Sequence, residues 1–197
     1  PSQLSGTTWS ILVIFSNQHG HAIKTDGTLW AWGLNQFGTL GQNISMSPGA
    51  RSSPVQIPGT TWRSSYWSIC QGSNQWTCAI KTDGTLWSWG YGGVGSRGQN
   101  NLTTYSSPKQ IPGTTWDSGH GKFDTTYLST AAFKTDGTAW SWGQNEYGVL
   151  GLGDRTDRSS PTQIGGNENF NTVALFREGL TFTCLLYTSD AADEGLV

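Results

Sequence analysis

A chain of 197 residues is long enough to enclose a sizeable core without disulfide or metal staples. Its 27 glycines, 11 tryptophans and only 12% charged residues suit short β-strands joined by tight turns and argue against long helices. The net charge of -2, with no basic run, gives no electrostatic ground for nucleic acid or an anionic membrane surface as partner, and no apolar stretch approaches the length of a membrane-spanning helix.

The chain opens on Pro1-Ser2-Gln3-Leu4, a Pro-x-Gln-(Ile/Leu) anchor that returns at Pro54, Pro108 and Pro161 with periods of 53, 54 and 53 residues. A Gly-Thr-Thr-Trp follows the first three anchors and ends at Trp9, Trp62 and Trp116. Since Pro1 stands inside a period and no initiating Met precedes it, the chain is expected to begin in mid-repeat. Residues 11–15 read as one buried strand. His19 and His21 alternate on the next strand with no Asp or Ser at triad spacing, so they read as satisfied or exposed side chains rather than catalytic ones.

Lys24-Thr25-Asp26-Gly27-Thr28 follows, and recurs letter for letter at residues 81–85 and 134–138. Each copy leads into Trp-x-Trp-Gly: Trp30, Trp32 and Gly33, then Trp87, Trp89 and Gly90, then Trp140, Trp142 and Gly143. The pairs Asp26-Gly27, Asp83-Gly84 and Asp136-Gly137 predict two-residue type I′ hairpins, which need positive φ at both central residues. The aspartates would lie in separate units beside turn glycines, not converge on a metal. In the strand that follows, the two tryptophans share one face and small or aliphatic residues the other, so the strand must be covered on both sides. A small sheet with two buried faces, repeated about every fifty residues, predicts an all-β chain: an open, partial β-propeller of about three to four four-stranded blades. The second blade's strands are expected around residues 67–70, 77–81, 85–89 and 108–111, and Trp140→Ala is expected to be among the most damaging single changes.

From the Trp-x-Trp-Gly glycine to the next anchor proline the distances are 21, 18 and 18 positions, and here the repeats differ most. This segment carries Asn43, Met46 and Arg51 in the first repeat, Arg97, Asn101 and Tyr105 in the second, and Arg155, Asp157 and Arg158 in the third. These are the candidate partner contacts, because like positions build blades while unlike loops are free to select a ligand. Gly90-Tyr91-Gly92-Gly93-Val94-Gly95 formally fits a dinucleotide fingerprint, but turn-like residues follow where a helix should start. Cys70, Cys78 and Cys184 fall into no metal spacing, and Cys70 and Cys78 read as thiols on adjacent strands. No cofactor, metal or catalytic residue is therefore assigned.

The fourth period starts normally at Pro161 and passes a strand-like stretch at 172–176, but reaches no further Lys-Thr-Asp-Gly. Residues 184–197 look like the in-frame translation of a sequencing adapter, which would set the repeats at 1–183 and make the chain a metagenomic fragment.

The runs 22–41 and 132–151 closely resemble the regulator of chromosome condensation repeat, and 79–98 does so less well after Gly90, where Tyr91-Gly92-Gly93 replaces the usual Asn-containing turn. The resemblance implies a propeller that closes with about seven blades, so this chain would be a monomeric piece with open blade edges. It also implies a non-catalytic scaffold for an as yet unidentified protein partner, held through the variable loops. Nucleotide exchange on a small GTPase is an alternative that the resemblance raises, although no long protruding insertion is present. A carbohydrate-binding or surface-displayed module of a virus or bacterium is another, raised by the aromatic, low-charge composition.

Overall fold

The computed structural model describes residues 8–14, 18–44, 49–65, 69–72, 75–120, 122–126, 128–165, 172–176 and 179–183. All of its regular elements are β-strands. The first sheet runs β1 (Trp9–Ile14), β2 (His19–Lys24), β3 (Leu29–Gly33) and β4 (Arg51–Gln56). The second is β5 (Ile69–Gly72), β6 (Trp76–Ile80), β7 (Leu86–Gly90) and β8 (Tyr105–Gln110), and the third β9 (Phe123–Thr125), β10 (Ser129–Phe133), β11 (Ala139–Gly143) and β12 (Arg158–Gln163). Each is an antiparallel meander in chain order, and a two-stranded sheet follows from β13 (Thr172–Phe176) and β14 (Gly179–Thr183). These are the blades of a partial propeller. Trp67, Met46 and the tail from Cys184 onward lie outside the described residues.

The hairpin between the second and third strands of each blade differs from the expected type I′ turn. Gly27 has φ +77° while Asp26 is not in the left-handed region, and the Gly27 N–H bonds to the Lys24 carbonyl at 3.0 Å. That is a three-residue loop, a type I turn closed by a left-handed glycine. Asp26 serves it from the side: its Oδ1 accepts the Thr28 N–H at 2.9 Å and the Thr28 hydroxyl at 2.6 Å. Asp83 with Thr85 and Asp136 with Thr138 repeat the arrangement. An aspartate that caps the next two donors has no need of positive φ at its own backbone.

Alternation along the third strand sorts side chains between neighbouring blades. Leu29 and Ala31 of β3, with Ile23, Leu40 and Ile57, pack against Trp62, Ile69, Ala79, Trp87 and Trp89 of the second blade. Leu86, Ile80, Trp76 and Ile111 of the second blade meet Trp116, Phe123, Ala132, Trp140 and Trp142 of the third. The tryptophan face thus looks back to the preceding blade and the aliphatic face forward. Trp89 and Trp142 are wholly buried, whereas Trp87 and Trp140 are half-buried, so Trp142 and not Trp140 is the core residue of its strand.

Both buried indoles also bond across the blade interface. Trp89 Nε1 donates to the Thr39 carbonyl at 2.7 Å and Trp142 Nε1 to the Ser96 carbonyl at 2.9 Å. Gly41 and Gly98, each at φ +67°, lie against these rings, and a Cβ there would stand only 3.2 and 2.8 Å from the indole nitrogen. The spacing Gly-x-x-Gly after the first and second Trp-x-Trp-Gly is therefore a socket for the next blade's tryptophan.

Candidate functional site

Strand direction gives each blade two different ends. The Lys-Thr-Asp-Gly-Thr hairpin lies at one, and the segment from Trp-x-Trp-Gly to the fourth strand at the other. Much of that variable segment is an inter-blade joint. The Asn43 N–H bonds to the Ser106 carbonyl and the Asn100 N–H to the Ser159 carbonyl, both at 2.7 Å, while Phe37 packs on Tyr91 at 5.3 Å. Within the joint, Asn35 Oδ1 accepts the Leu40 N–H and Asn145 Oδ1 the Leu150 N–H. Their amide groups then donate onward, Asn35 to the Ile44 carbonyl at 3.0 Å and Asn145 to the Asp154 and Thr156 carbonyls at 3.0 and 3.2 Å.

The second repeat builds the same joint from other atoms. Gly92 stands where the sibling repeats have Asn35 and Asn145, and Arg97 where they have Leu40 and Leu150. Arg97, offered by the sequence as a partner contact, is fully buried and is corrected to a structural residue. Its guanidinium donates to the Thr103 carbonyl and, at 3.2 Å, to Asn101 Oδ1, and lies 4.4 Å over the Tyr105 ring. A Cβ on Gly92 would come within 2.5 Å of Arg97 Nη2, so the guanidinium occupies the space of the missing asparagine. Burial lowers the Arg97 pKa to about 10, which leaves it charged at neutral pH. The glycines that mimicked a dinucleotide fingerprint make room for an arginine.

Other sequence candidates divide. Asn43, Arg51 and Arg155 are exposed. Asn101 is turned inward, its amide donating to the Gln99 carbonyl at 2.9 Å, and Tyr105 is half-buried beneath Arg97. Asp157 Oδ1 accepts the Asn145 N–H at 2.7 Å, and Arg158 pairs with Asp154 at 2.5 Å, so these two brace the third loop. Sequence reasoning missed Leu34, Ile44, Leu102 and Tyr147, which are 39, 45, 58 and 78% exposed. All four lie in the same variable segments. The signal for them was apolar identity at positions that are unlike between repeats, such as Tyr147 against Val94.

His19 and His21 stand edge to face 5.5 Å apart within the first blade, and His21 lies 6.2 Å from the Trp89 ring of the second. Burial lowers the His19 pKa to about 4 and, joined by the His19 charge, lowers that of His21 to about 3, against a hydrogen bond to the Thr39 backbone that raises it. Both are neutral structural groups at pH 7.

Two outcomes follow. The unfolded chain binds protons on both histidines below about pH 6.5 while the folded one resists until about 4 and 3, so stability is complete above 6.5 and declines as pH falls through that window. Urea midpoints measured from pH 7 to 4 should fall, and the double variant His19→Ser, His21→Ala, which copies the third blade's Ser129 and Ala131, should flatten that slope. In a double-mutant cycle, Gly92→Asn and Arg97→Leu should each destabilise alone, while together they recover about 1 to 3 kcal/mol of coupling in chemical unfolding.

Comparison with known proteins places this geometry. The human E3 ubiquitin-protein ligase HERC2 is 25% identical over 182 residues, 90% of this chain but 4% of HERC2. The Arabidopsis thaliana ultraviolet-B receptor UVR8 is 25% identical over 156 residues, 78% of this chain and 33% of the receptor. Among solved structures, Saccharomyces cerevisiae Prp20p matches with TM-score 0.63 at 24% identity over 76% of this chain and 36% of its own. Yeast RCC1 (Prp20) bound to Kap60 matches with TM-score 0.69 at 23% identity over 83% and 39%. The chain thus spans a small part of each relative, from 4% to about two fifths. The regulator of chromosome condensation (RCC1) repeat model matches residues 26–76 and 136–186, half of the chain, and the chain belongs to that repeat family.

Proposed function

We propose that this chain is part of a non-catalytic propeller scaffold that binds a protein partner at the loop end of its blades. One observation carries the reading. Every large apolar side chain that is exposed among the described residues, Leu34, Ile44, Leu102 and Tyr147, lies between a Trp-x-Trp-Gly glycine and the following fourth strand. Scattered exposed apolar residues are ordinary, but their confinement to one end of successive blades, beside Arg51 and Arg155, has the composition of an interface: aromatic and aliphatic anchors with arginines at the rim.

The scaffold beneath is suited to that task. The joint that connects each loop to the next blade holds its backbone by hydrogen bonds, so anchors project from an ordered base and less entropy is lost on association. His19, His21 and Arg97 are enclosed in blade contacts rather than presented to a substrate. The relatives support the class of partner. Prp20p has binding properties to Gsp1p and histones, and the second yeast structure is a complex with Kap60.

The combined variant Arg51→Ala, Leu102→Ser, Tyr147→Ser, Arg155→Ala, made in the protein that carries this chain, should leave thermal unfolding unchanged. Quantitative cross-linking and affinity capture should lose the bound partner by about tenfold or more. Partner binding undiminished in this variant would contradict the assignment.

A further inference from the structure

A different feature recurs at the hairpin end of the blades, away from the variable loops. Lys24 Nζ lies 4.9 Å over Trp9 and 4.0 Å over Trp30. Lys81 lies 5.0 and 4.3 Å over Trp62 and Trp87, and Lys134 5.3 and 4.1 Å over Trp116 and Trp140. In the third blade these groups border an open cleft of about 270 Å³ whose sides are Pro112, Ser160 and Pro161.

The cleft is lined by donors and has no side-chain carboxylate or amide. Among the described residues Lys81 and Lys134 have no ion-pair partner, and the indole N–H groups of Trp62 and Trp116 are buried with no hydrogen bond. In the second and third blades the ammonium and the indole nitrogen meet beneath one glycine. A Cβ placed on Gly113 would stand 3.7 Å from both Lys134 Nζ and Trp116 Nε1, and one on Gly59 would stand 3.6 Å from Lys81 Nζ and 3.5 Å from Trp62 Nε1. Asp136, the carboxylate nearest in sequence, gives its Oδ1 to the Thr138 N–H and hydroxyl at 3.0 and 2.7 Å. A buried N–H without a partner is costly, and it recurs beside a lysine ammonium whose charged neighbour is the hairpin aspartate, Asp83 or Asp136, in two successive blades.

We propose that this cleft, with the matching Lys81 position of the second blade, binds carboxylates of acidic peptide segments at the opposite end from the loop contacts. The Lys134 ammonium takes the carboxylate in a charge-assisted hydrogen bond, and the Trp140 face with Pro112 and Pro161 covers the apolar stem that carries it. A sugar is a poorer fit: Ser160 is the one hydroxyl-bearing side chain in the lining, and no side-chain carboxylate or amide is present there to pair with ring hydroxyls. The repeat of the lysine over its two tryptophans in the second blade suits a segment with spaced acidic residues, since each further contact is made at high effective concentration.

The test uses the whole chain and ¹H–¹⁵N NMR of its indole N–H groups. The probes are acetyl-Pro-Glu-Pro-amide, acetyl-Pro-Gln-Pro-amide and acetyl-Pro-Gln-Pro with a free terminal carboxyl. Either acid should shift the Trp116 and Trp140 signals saturably, the responding one telling a side-chain from a terminal carboxylate, and the neutral amide should bind at least about tenfold more weakly. The double variant Lys81→Met, Lys134→Met should lose the response and Lys134→Arg should keep it, while the loop-end substitutions leave it unchanged. Equal binding of the neutral peptide, no shift with any acid, or full binding by the methionine variant would overturn the proposal. Should the methionine variant not fold, the comparison of acid with amide on the unaltered chain decides.

Discussion

The architecture depends on one contact, the insertion of the second Trp-x-Trp-Gly tryptophan of the second and third blades into the loop of the blade before. Trp89 and Trp142 are enclosed on all sides and direct their indole N–H to the carbonyls of Thr39 and Ser96. Removing such a ring costs about 3 to 5 kcal/mol in a packed core, a large share of the margin by which a domain is folded. The Thr39 carbonyl also receives the Thr77 hydroxyl at 3.5 Å, and that of Ser96 the Thr130 hydroxyl at 3.2 Å, so one backbone oxygen per interface is a meeting point for two strands of the next blade. Packing and hydrogen bonding there need the same atoms in the same place, which is why Gly41 and Gly98 must lack a side chain.

This joint explains the division of labour along each blade. Residues 38–40 and 95–97, which seat a neighbouring tryptophan, are buried, while Leu34 and Tyr147 before the Gly-x-x-Gly and Ile44 and Leu102 after it reach solvent. The hairpin end has a different economy of donors. There Thr28, Thr85 and Thr138 take the indole N–H of Trp30, Trp87 and Trp140 at 2.8 to 2.9 Å, while the tryptophans of the Gly-Thr-Thr-Trp segments rely on lysine ammonium groups over their rings. The letter-for-letter recurrence of Lys-Thr-Asp-Gly-Thr is thus a recurrence of a hydrogen-bonded relay and a cation above two rings.

Much of the fold was legible because it is written three times. The period, the two-faced strand and the hairpin positions followed from spacing alone, and the residues of runs 22–41 and 132–151 carried the resemblance to the RCC1 repeat. The turn type did not, since Asp-Gly is compatible with both a two-residue and a three-residue hairpin, and the Lys24 to Gly27 hydrogen bond decides between them. Nor did the rank of the two tryptophans. They share a face, and only the contact with the preceding blade, where Trp142 reaches the Ser96 carbonyl, distinguishes the buried Trp142 from the half-buried Trp140. Arg97 was misread for a similar reason: a lone arginine in a loop resembles a surface anchor until Gly92, five residues earlier, is recognised as the vacated place of an asparagine. The candidate contacts Arg51 and Arg155 stayed at the surface, whereas the exposed apolar side chains of the same segments emerged only from solvent exposure, which sequence does not give residue by residue.

Exchange of the indole N–H protons tests the inter-blade joint most directly. On this account the Trp89 and Trp142 Nε1–H groups exchange only when neighbouring blades separate, orders of magnitude more slowly than those of Trp87 and Trp140, whose bonds to Thr85 and Thr138 stay within one half-exposed strand. Exchange of all four at similar rates would mean that the blades part without global opening, and that the tryptophan socket is not what holds them.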